Sequence, residues 1–455
     1  MRRTMSRPSI LLAVTMFWGT AQGQTFSVVS NFLDAQGQPG GALIQGLDGQ
    51  LYGMGAGGEN YNDGVIYKIT TAGVLTPLYA FSGTDGMIPG PDPGALALAA
   101  DGTFYGTTQQ GGPADNCGTV FAISSEGQLT TLHNFSCSDG DFPNEGLVQG
   151  TDGNFYGTTA GGGTNGQGTV FMISTAGNFT SLYSFSGQDG ASPEAGLVLA
   201  ANGDFYGVTA KGGLNGDGTI FQITPSGVLT TLHNFDRTDG YMPEAPLIVG
   251  SNGQLFGTTR QGGTGFGGTF FEVSLSGTIT TIHNFIWASA DGYYPNSPVI
   301  QATNGDFYGP NDGNANLGLL FQIGAGGAFT PIVPPQSIYT YELGPLFQAT
   351  DGMIYGGAPE GGSAGYGVIY SISLGLPPFV RPQPAFGTVG AQVSILGSSL
   401  TGASRVAFNG TPAAFQVISP TAISAVVPAG ATTGKITVTS PQGRLVSNTA
   451  FSVLE

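Results

Sequence analysis

The sequence predicts an all-β protein: a seven-bladed β-propeller of four-stranded blades, closed by the N-terminal strand, with a C-terminal immunoglobulin-like β-sandwich. Three observations carry this expectation. A unit of about 50 residues recurs seven times, each unit reads as four short strands, and the last unit lacks a fourth strand that the N-terminus supplies.

The recurrence is marked by an aromatic-Gly pair: Tyr52-Gly53, Tyr105-Gly106, Tyr156-Gly157, Tyr206-Gly207, Phe256-Gly257, Tyr308-Gly309 and Tyr355-Gly356. The steps are 53, 51, 50, 50, 52 and 47 residues. In the third unit, residues 147–151, 154–159, 169–174 and 178–186 read as strands. Asx-Gly separates the first two in every unit (Asp48, Asp101, Asp152, Asn202, Asn252, Asn304 and Asp351), which predicts a two-residue type I′ hairpin with φ > 0 at both central residues. The third strand ("TVFAI", "TVFMI", "TIFQI", "LLFQI") is apolar at both parities, as expected when blades cover both of its faces. Nothing in the unit has helical periodicity. The seventh unit stops after its third strand, while residues 25–33 ("TFSVVSNFL") match the fourth-strand pattern "LTTLHNFS". Pairing these segments closes the ring and covers edges that would otherwise invite aggregation.

Composition sets the class of protein. Gly (79) and Pro (28) are abundant and charged residues reach only 9%, yet 40% of the chain is hydrophobic, enough to build a core and to exclude bulk disorder. Arg2, Arg3 and Arg7, a short apolar stretch to Trp18 and the small-x-small Ala21-Gln22-Gly23 predict a signal peptide over 1–23, too short to span a membrane. No later stretch is apolar enough to span one either. The expected product is secreted or held at the cell surface, extracellular or periplasmic. Residues 24–375 hold 27 acids against four bases (Lys68, Lys211, Arg237 and Arg260), which excludes nucleic acid as a partner of the ring. Cys117 and Cys137 flank the third and fourth strands of the second unit, with their midpoint at the turn glycine Gly127, and are expected to form a disulfide in an oxidising compartment.

After the ring (24–375), the Pro-rich "LGLPPFVRPQPAFG" breaks the period and reads as a linker. Short β-rich segments over 376–455 then predict the sandwich. Two family resemblances follow. The units "GLVQGTDGNFYGTTAGGG", "GTVFMIS" and "LTTLHNF" resemble the GloVer tandem repeat family of exported bacterial proteins, which implies a surface or secreted repeat protein and brings no catalytic residues. Residues 376–455, with "VSILGSSL", "VAFNGTPA", "ISAVVPAGATTGKITVTSPQG" and "FSV", are similar to IPT/TIG domains, which implies a spacer or binding accessory.

Propeller topology places the tight hairpins on one face and the longer loops on the other. A D-G-x-x-P element recurs in the crossovers between blades, at Asp85, Asp139, Asp189, Asp239 and Asp291, with Pro89, Pro143, Pro193, Pro243 and Pro295. Glu145, Glu194 and Glu244 follow closely. A ring of carboxylates is thus expected on the long-loop face, with Asp139, Glu145, Asp189, Glu194, Asp239, Glu244 and Asp291 as candidate ligand-binding residues. Carboxylates suit a hard cation such as calcium, and Tyr241, Tyr293 and Tyr294 suit stacking on carbohydrate; a surface protein is the other partner considered. The same residues also suit Asx-turns and rigid crossovers, which five-fold recurrence favours. His133, His233 and His283 lie on the outer strands of separate blades, too far apart to share one metal, and read as packed positions. No HExxH or CxxC motif occurs, and no catalytic residue is assigned. The expectation is a non-enzymatic binding or structural protein; the alternative is a glycosidase or lyase using the same carboxylates, whose separation decides the chemistry.

Overall fold

The aromatic-Gly pairs dictate how one blade meets the next. The computed structural model describes residues 24–33, 37–57, 63–88, 94–113, 115–313, 318–338 and 342–454. The expected signal peptide (1–23) and Pro89 lie outside these residues. Among the described residues, seven antiparallel sheets follow one another, one per repeat, and are numbered here as blades 1 to 7. Blade 3 comprises Val148–Gln149, Phe155–Thr159, Thr169–Ile173 and Phe179–Ser184. Phe155 stacks on Tyr105 of blade 2, and Tyr156 stacks on Phe205 of blade 4, both at 4.1 Å. The Phe171 ring lies across Gly157, where a Cβ would stand 2.6 Å from its Cζ. Glycine is therefore required by close approach, and the aromatic beside it links two blades.

The Tyr156 hydroxyl donates to Asp152 at 2.8 Å, and the other Asp152 oxygen accepts the Asn154 amide at 3.1 Å. The turn differs from the two-residue form expected. Gly153 donates to the Gly150 carbonyl and Gly150 to that of Asn154, which makes a three-residue loop in which only Gly153 has positive φ, 85°. Asp152 need not enter the left-handed region, because its side chain caps the amide two residues on. The innermost strand is also shorter than expected, Val148–Gln149 in place of 147–151, since most of that segment serves the crossover and the turn.

The N-terminal segment completes blade 7. Thr25–Asn31 pairs antiparallel with Val368–Ser373, Thr25 opposite Ser373 and Asn31 opposite Val368. Phe32 is fully buried and meets Tyr67 of blade 1 edge-on at 5.1 Å. Hydrophobic clusters bridge each neighbouring pair of blades, including 7 and 1, where Phe32, Leu51 and Tyr67 pack with Ala349, Tyr355 and Ile369. The ring is closed. Cys117 and Cys137 form a disulfide within blade 2, twenty residues apart. A loop of that length contributes roughly 3 kcal/mol in the chain-entropy picture.

Residues beyond 379 fold as two packed sheets. One contains Arg381–Gln383, Gln392–Leu396, Phe415–Ser419 and Ala422–Val426; the other contains Arg405–Phe408, Gly434–Ser440 and Gly443–Leu454 with two short edge strands. Val393, Ile395, Val406, Ile423, Ile436 and Phe451 form the core between them. The Pro-rich stretch is not a free linker. The Phe379 amide donates to the Thr350 carbonyl at 3.0 Å, and Arg381 donates to the Gln348 carbonyl at 2.6 Å while lying over the Phe347 ring at 4.5 Å. Burial lowers the Arg381 guanidinium pKa to about 10. Further on, Ser394 donates to the Ala100 carbonyl and Thr421 to that of Leu47, and Leu396 joins the core between blades 1 and 2. The sandwich thus rests on the tight-turn face across blades 7, 1 and 2, astride the closure. Its docking leaves the long-loop face to solvent.

Candidate functional site

On that open face the expected ring of carboxylates divides into two sets. The crossover aspartates are tied to the outer strand of their own blade. Asp189 accepts the Ser186 amide at 2.8 Å and the Tyr183 hydroxyl. Asp139 accepts the Ser136 amide at 2.9 Å and meets His133 Nε2 at 3.2 Å; Asp239 accepts the Asp236 amide and meets His233 Nε2 at 2.6 Å. Asp291 stands 3.7 Å from His283 Nε2. Three of these aspartates therefore use both oxygens within their own turn, and the histidines replace tyrosine as the partner. His133 also stacks on Phe179 at 3.8 Å, and burial holds the His133 and His283 pKa values below the ordinary 6.5.

The glutamates form the second set, next to the innermost strands. The Thr107 hydroxyl, on a second strand, donates to the Glu145 carbonyl, and Thr158 donates to that of Ala195, so each crossover passes over the end of the preceding blade's second strand. Glu194 pairs with Lys211 at 3.8 Å. Glu244 meets Arg260 Nη1 at 3.3 and 3.4 Å. Burial, opposed by Arg260, raises the Glu244 pKa, and Glu194 raises it further.

Arg260 belongs to a sector that the sequence pattern did not single out. At the end of the second strand, blades 3 and 4 carry Ala160 and Ala210; blades 5 and 6 carry Arg260 and Asp312. The Arg260 guanidinium lies over the Tyr294 ring at 5.3 Å. Tyr293 bridges to Asp312 through paired backbone hydrogen bonds, and Asn296 donates to Glu342 at 2.7 Å. Asp312 is raised from 3.8 to about 6, first by burial and then by Glu342, with Arg260 opposing.

Among the described residues, and besides His283 Nε2 on the outer strand of blade 5, three buried polar atoms of blades 5 and 6 make no hydrogen bond within the protein: Thr258 Oγ1, Arg260 Nε and Asn311 Oδ1. Their isolation has a local cause. Blades 2 to 5 join the second and third strands through a buried Thr–Thr hydrogen bond, such as Thr159 to Thr169 at 2.8 Å. Blade 6 has Asn311 facing Leu319, which leaves the Asn311 oxygen alone. Thr258 occupies the position whose hydroxyl elsewhere bonds the incoming crossover, so it faces the crossover that carries Asn296. An unmet buried hydrogen-bonding group costs roughly 1–3 kcal/mol, and folded proteins hold few of them.

The same crossover carries an aromatic group. Trp287, half exposed, stacks on Tyr293 at 4.5 Å and meets Tyr294 at 5.1 Å. Tyr241 donates to Gln261 and lies under Arg237 at 5.2 Å. Two cavities open on the opposite, tight-turn face. One of about 370 Å³ lies between blades 1 and 2 beneath the sandwich, beside Tyr52, Phe104 and Ile423; one of about 210 Å³ lies between blades 5 and 6, where Phe256 stands in place of tyrosine.

Fold and face together define a β-propeller with an immunoglobulin-like module docked on its tight-turn side. The chain belongs to the family described as the Gloeobacter/Verrucomicrobia repeat, which matches residues 13–209 and 196–377, and an IPT/TIG domain matches residues 379–453. No curated protein matches the sequence. Among solved structures, a lectin from Burkholderia pseudomallei shares 11% identity with a TM-score of 0.54, over 74% of this chain and 97% of that one. A gluconolactonase from Xanthomonas campestris shares 12% identity with a TM-score of 0.40, over 78% and 90% of the two chains. A Bacteroides thetaiotaomicron protein of unknown function shares 12% with a TM-score of 0.42, over 77% and 76%. At 11% identity the likeness to the lectin speaks for the fold alone.

Proposed function

We propose that this is an exported, non-enzymatic binding protein of the bacterial surface or extracellular space, and that its ligand docks on the long-loop face at blades 5 and 6. One observation carries the reading: Thr258, Arg260 and Asn311 hold unmet buried polar atoms where the ring departs from its own repeat. Folded proteins hold few unmet buried polar groups, and a cluster of them calls for a partner the chain itself does not supply, a ligand or the water it holds. Asp139, Asp189 and Asp239 have both oxygens engaged in their own turns; of the other candidate carboxylates Glu244 lies in this sector, where Arg260, Asp312 and Glu342 join it. Export is supported by the disulfide and by the lack, among the described residues, of a helix long and apolar enough to cross a membrane. A ring of the same fold is a lectin in Burkholderia pseudomallei.

The second reading, a carbohydrate-active enzyme, draws on Asp312, a carboxyl held near pH 6 beside Glu342. Screening the full chain on an array of glycans, peptides and proteins, with a parallel assay for released reducing sugar, separates the two. Binding that requires Arg260 and releases no sugar supports the first reading; sugar release overturns it in favour of the second.

A further inference from the structure

We infer that the sector of blades 5 and 6 takes an uncharged saccharide, one face of a sugar ring on the Trp287–Tyr293 pair and its hydroxyl edge on Arg260 and Asp312. The inference rests on the binding reading above and narrows it to a ligand class. A sugar ring presents apolar C–H faces and an edge of vicinal hydroxyls within a few ångströms. A site for it must pair an exposed aromatic surface with planar, two-pronged polar groups. That juxtaposition occurs here within one crossover and the strand ends it covers. Trp287 and Tyr293 stack, and Tyr293 is bridged by its backbone to Asp312. Tyr294 carries Arg260 on its ring.

Several particulars favour ligand contact over a structural role. The guanidinium holds Glu244 only through Nη1, at 3.3 and 3.4 Å, and the Arg260 side chain stays 36% exposed, so its outer edge is open to a diol. Thr258 Oγ1 and Asn311 Oδ1, in residues 1% and 3% exposed, lack a partner within the protein and are met by a water lying under the ligand. The equivalent crossover positions elsewhere hold Asp141-Phe142 and Ala191-Ser192, so the backbone device is shared but the aromatic pair is not. In blade 5 the third and fourth strands extend to eight residues each, Phe266–Val273 and Ile279–Ile286, and deliver Trp287 to the surface. Charge sets the class: Glu244 faces Arg260, Lys211 and Glu194, and Asp312 faces Arg260 and Glu342, so four carboxyl groups meet two cations, and like charges facing each other across an interface disfavour an acidic sugar.

The chain carries its own probe, since its only tryptophans are Trp18 and Trp287. Tryptophan fluorescence of the full chain is titrated with neutral gluco-, manno-, galacto- and xylo-oligosaccharides and with oligogalacturonate, with Trp287→Phe as the blank. The expected result is a saturable shift with a neutral oligosaccharide that vanishes in the blank. Arg260→Ala then weakens binding about tenfold or more, the loss of one charged hydrogen bond. Phe142→Ala, at the position equivalent to Tyr294 in the crossover from blade 2 to blade 3, leaves affinity unchanged. Melting curves establish that each variant is folded. No shift with any neutral sugar, tighter binding of oligogalacturonate, or a shift indifferent to Arg260→Ala overturns the inference. An Arg260-dependent peptide or protein ligand on the array would leave the binding reading standing and remove the saccharide.

Discussion

Blades 3 and 4 and blades 5 and 6 are built on one plan and differ at few positions. In the first pair Ala160 and Ala210 end the second strand, Thr–Thr hydrogen bonds join the strands beneath, and the crossovers carry small or polar residues. In the second pair Arg260 and Asp312 take the alanine positions, Asn311 breaks the threonine pair, and tyrosines fill the crossover. The crossover backbone does not register the change: Phe142, Ser192, Met242 and Tyr294 share a φ of 51° to 56° at the same place. Repetition holds the ring together, and departure from repetition marks where the ring can meet something else. Substitutions in regular parts are expected to reduce stability and spare binding, and substitutions in the sector to do the reverse.

The largest effect is expected at the closure. Deleting residues 24–33 strips blade 7 of its outer strand and removes Phe32 from the core it shares with blade 1. The expected outcome is loss of cooperative melting; a deletion variant that melts as sharply and as late as wild type would separate closure from stability. Next is Gly157→Ala, which places a Cβ 2.6 Å from Phe171 and 2.8 Å from Leu147. Overpacking of this kind costs about 1–3 kcal/mol, readable by denaturant titration, and ligand binding should survive it. Tyr183→Phe removes the hydroxyl that holds Asp189 and should cost about 1 kcal/mol, again without touching affinity.

A subtler test concerns acid. Asp312 has a folded-state pKa near 6 and an ordinary value of 3.8, so between these pH values the native state binds more protons than the unfolded chain. Its contribution to stability therefore falls as pH rises from about 4 to 6, and the penalty is complete above that window. His133 and His283, lowered by burial, act in the opposite sense, favouring the fold as pH rises. Asp312→Asn should remove only the first component. The difference between wild-type and variant melting temperatures is expected to widen from pH 4 to pH 6.5 in the variant's favour, and a flat difference would argue that Asp312 is solvated.

The ring was legible because its evidence is periodic. A missing fourth strand at one end and a spare at the other specify closure without any knowledge of contacts. The fixed six-residue interval from Tyr79 to Asp85, His133 to Asp139, Tyr183 to Asp189 and His233 to Asp239 was also present, but pairing it requires knowing that the strand end folds back onto its own turn. The turn type was misjudged because Asx-Gly is compatible with two loops, and the side-chain cap on the next strand chooses between them. Docking of the sandwich was hidden for a different reason: Arg381, Ser394 and Thr421 meet carbonyl groups, which every residue possesses, so no sequence signal marks the contact. Arg260 and Asp312 could have been found by aligning the repeats and asking where the column of Ala56, Ala160 and Ala210 gains a charge.

The central claim is that the sector of blades 5 and 6 gives up stability for recognition, and Asp312→Ala tests it most directly. The substitution restores the residue found in blades 3 and 4 and removes a carboxyl that burial disfavours. Melting temperature and neutral-oligosaccharide affinity measured on that one variant at pH 7 should move in opposite directions, the first upward and the second downward. A lower melting temperature with affinity intact would contradict the account and make Asp312 a structural residue.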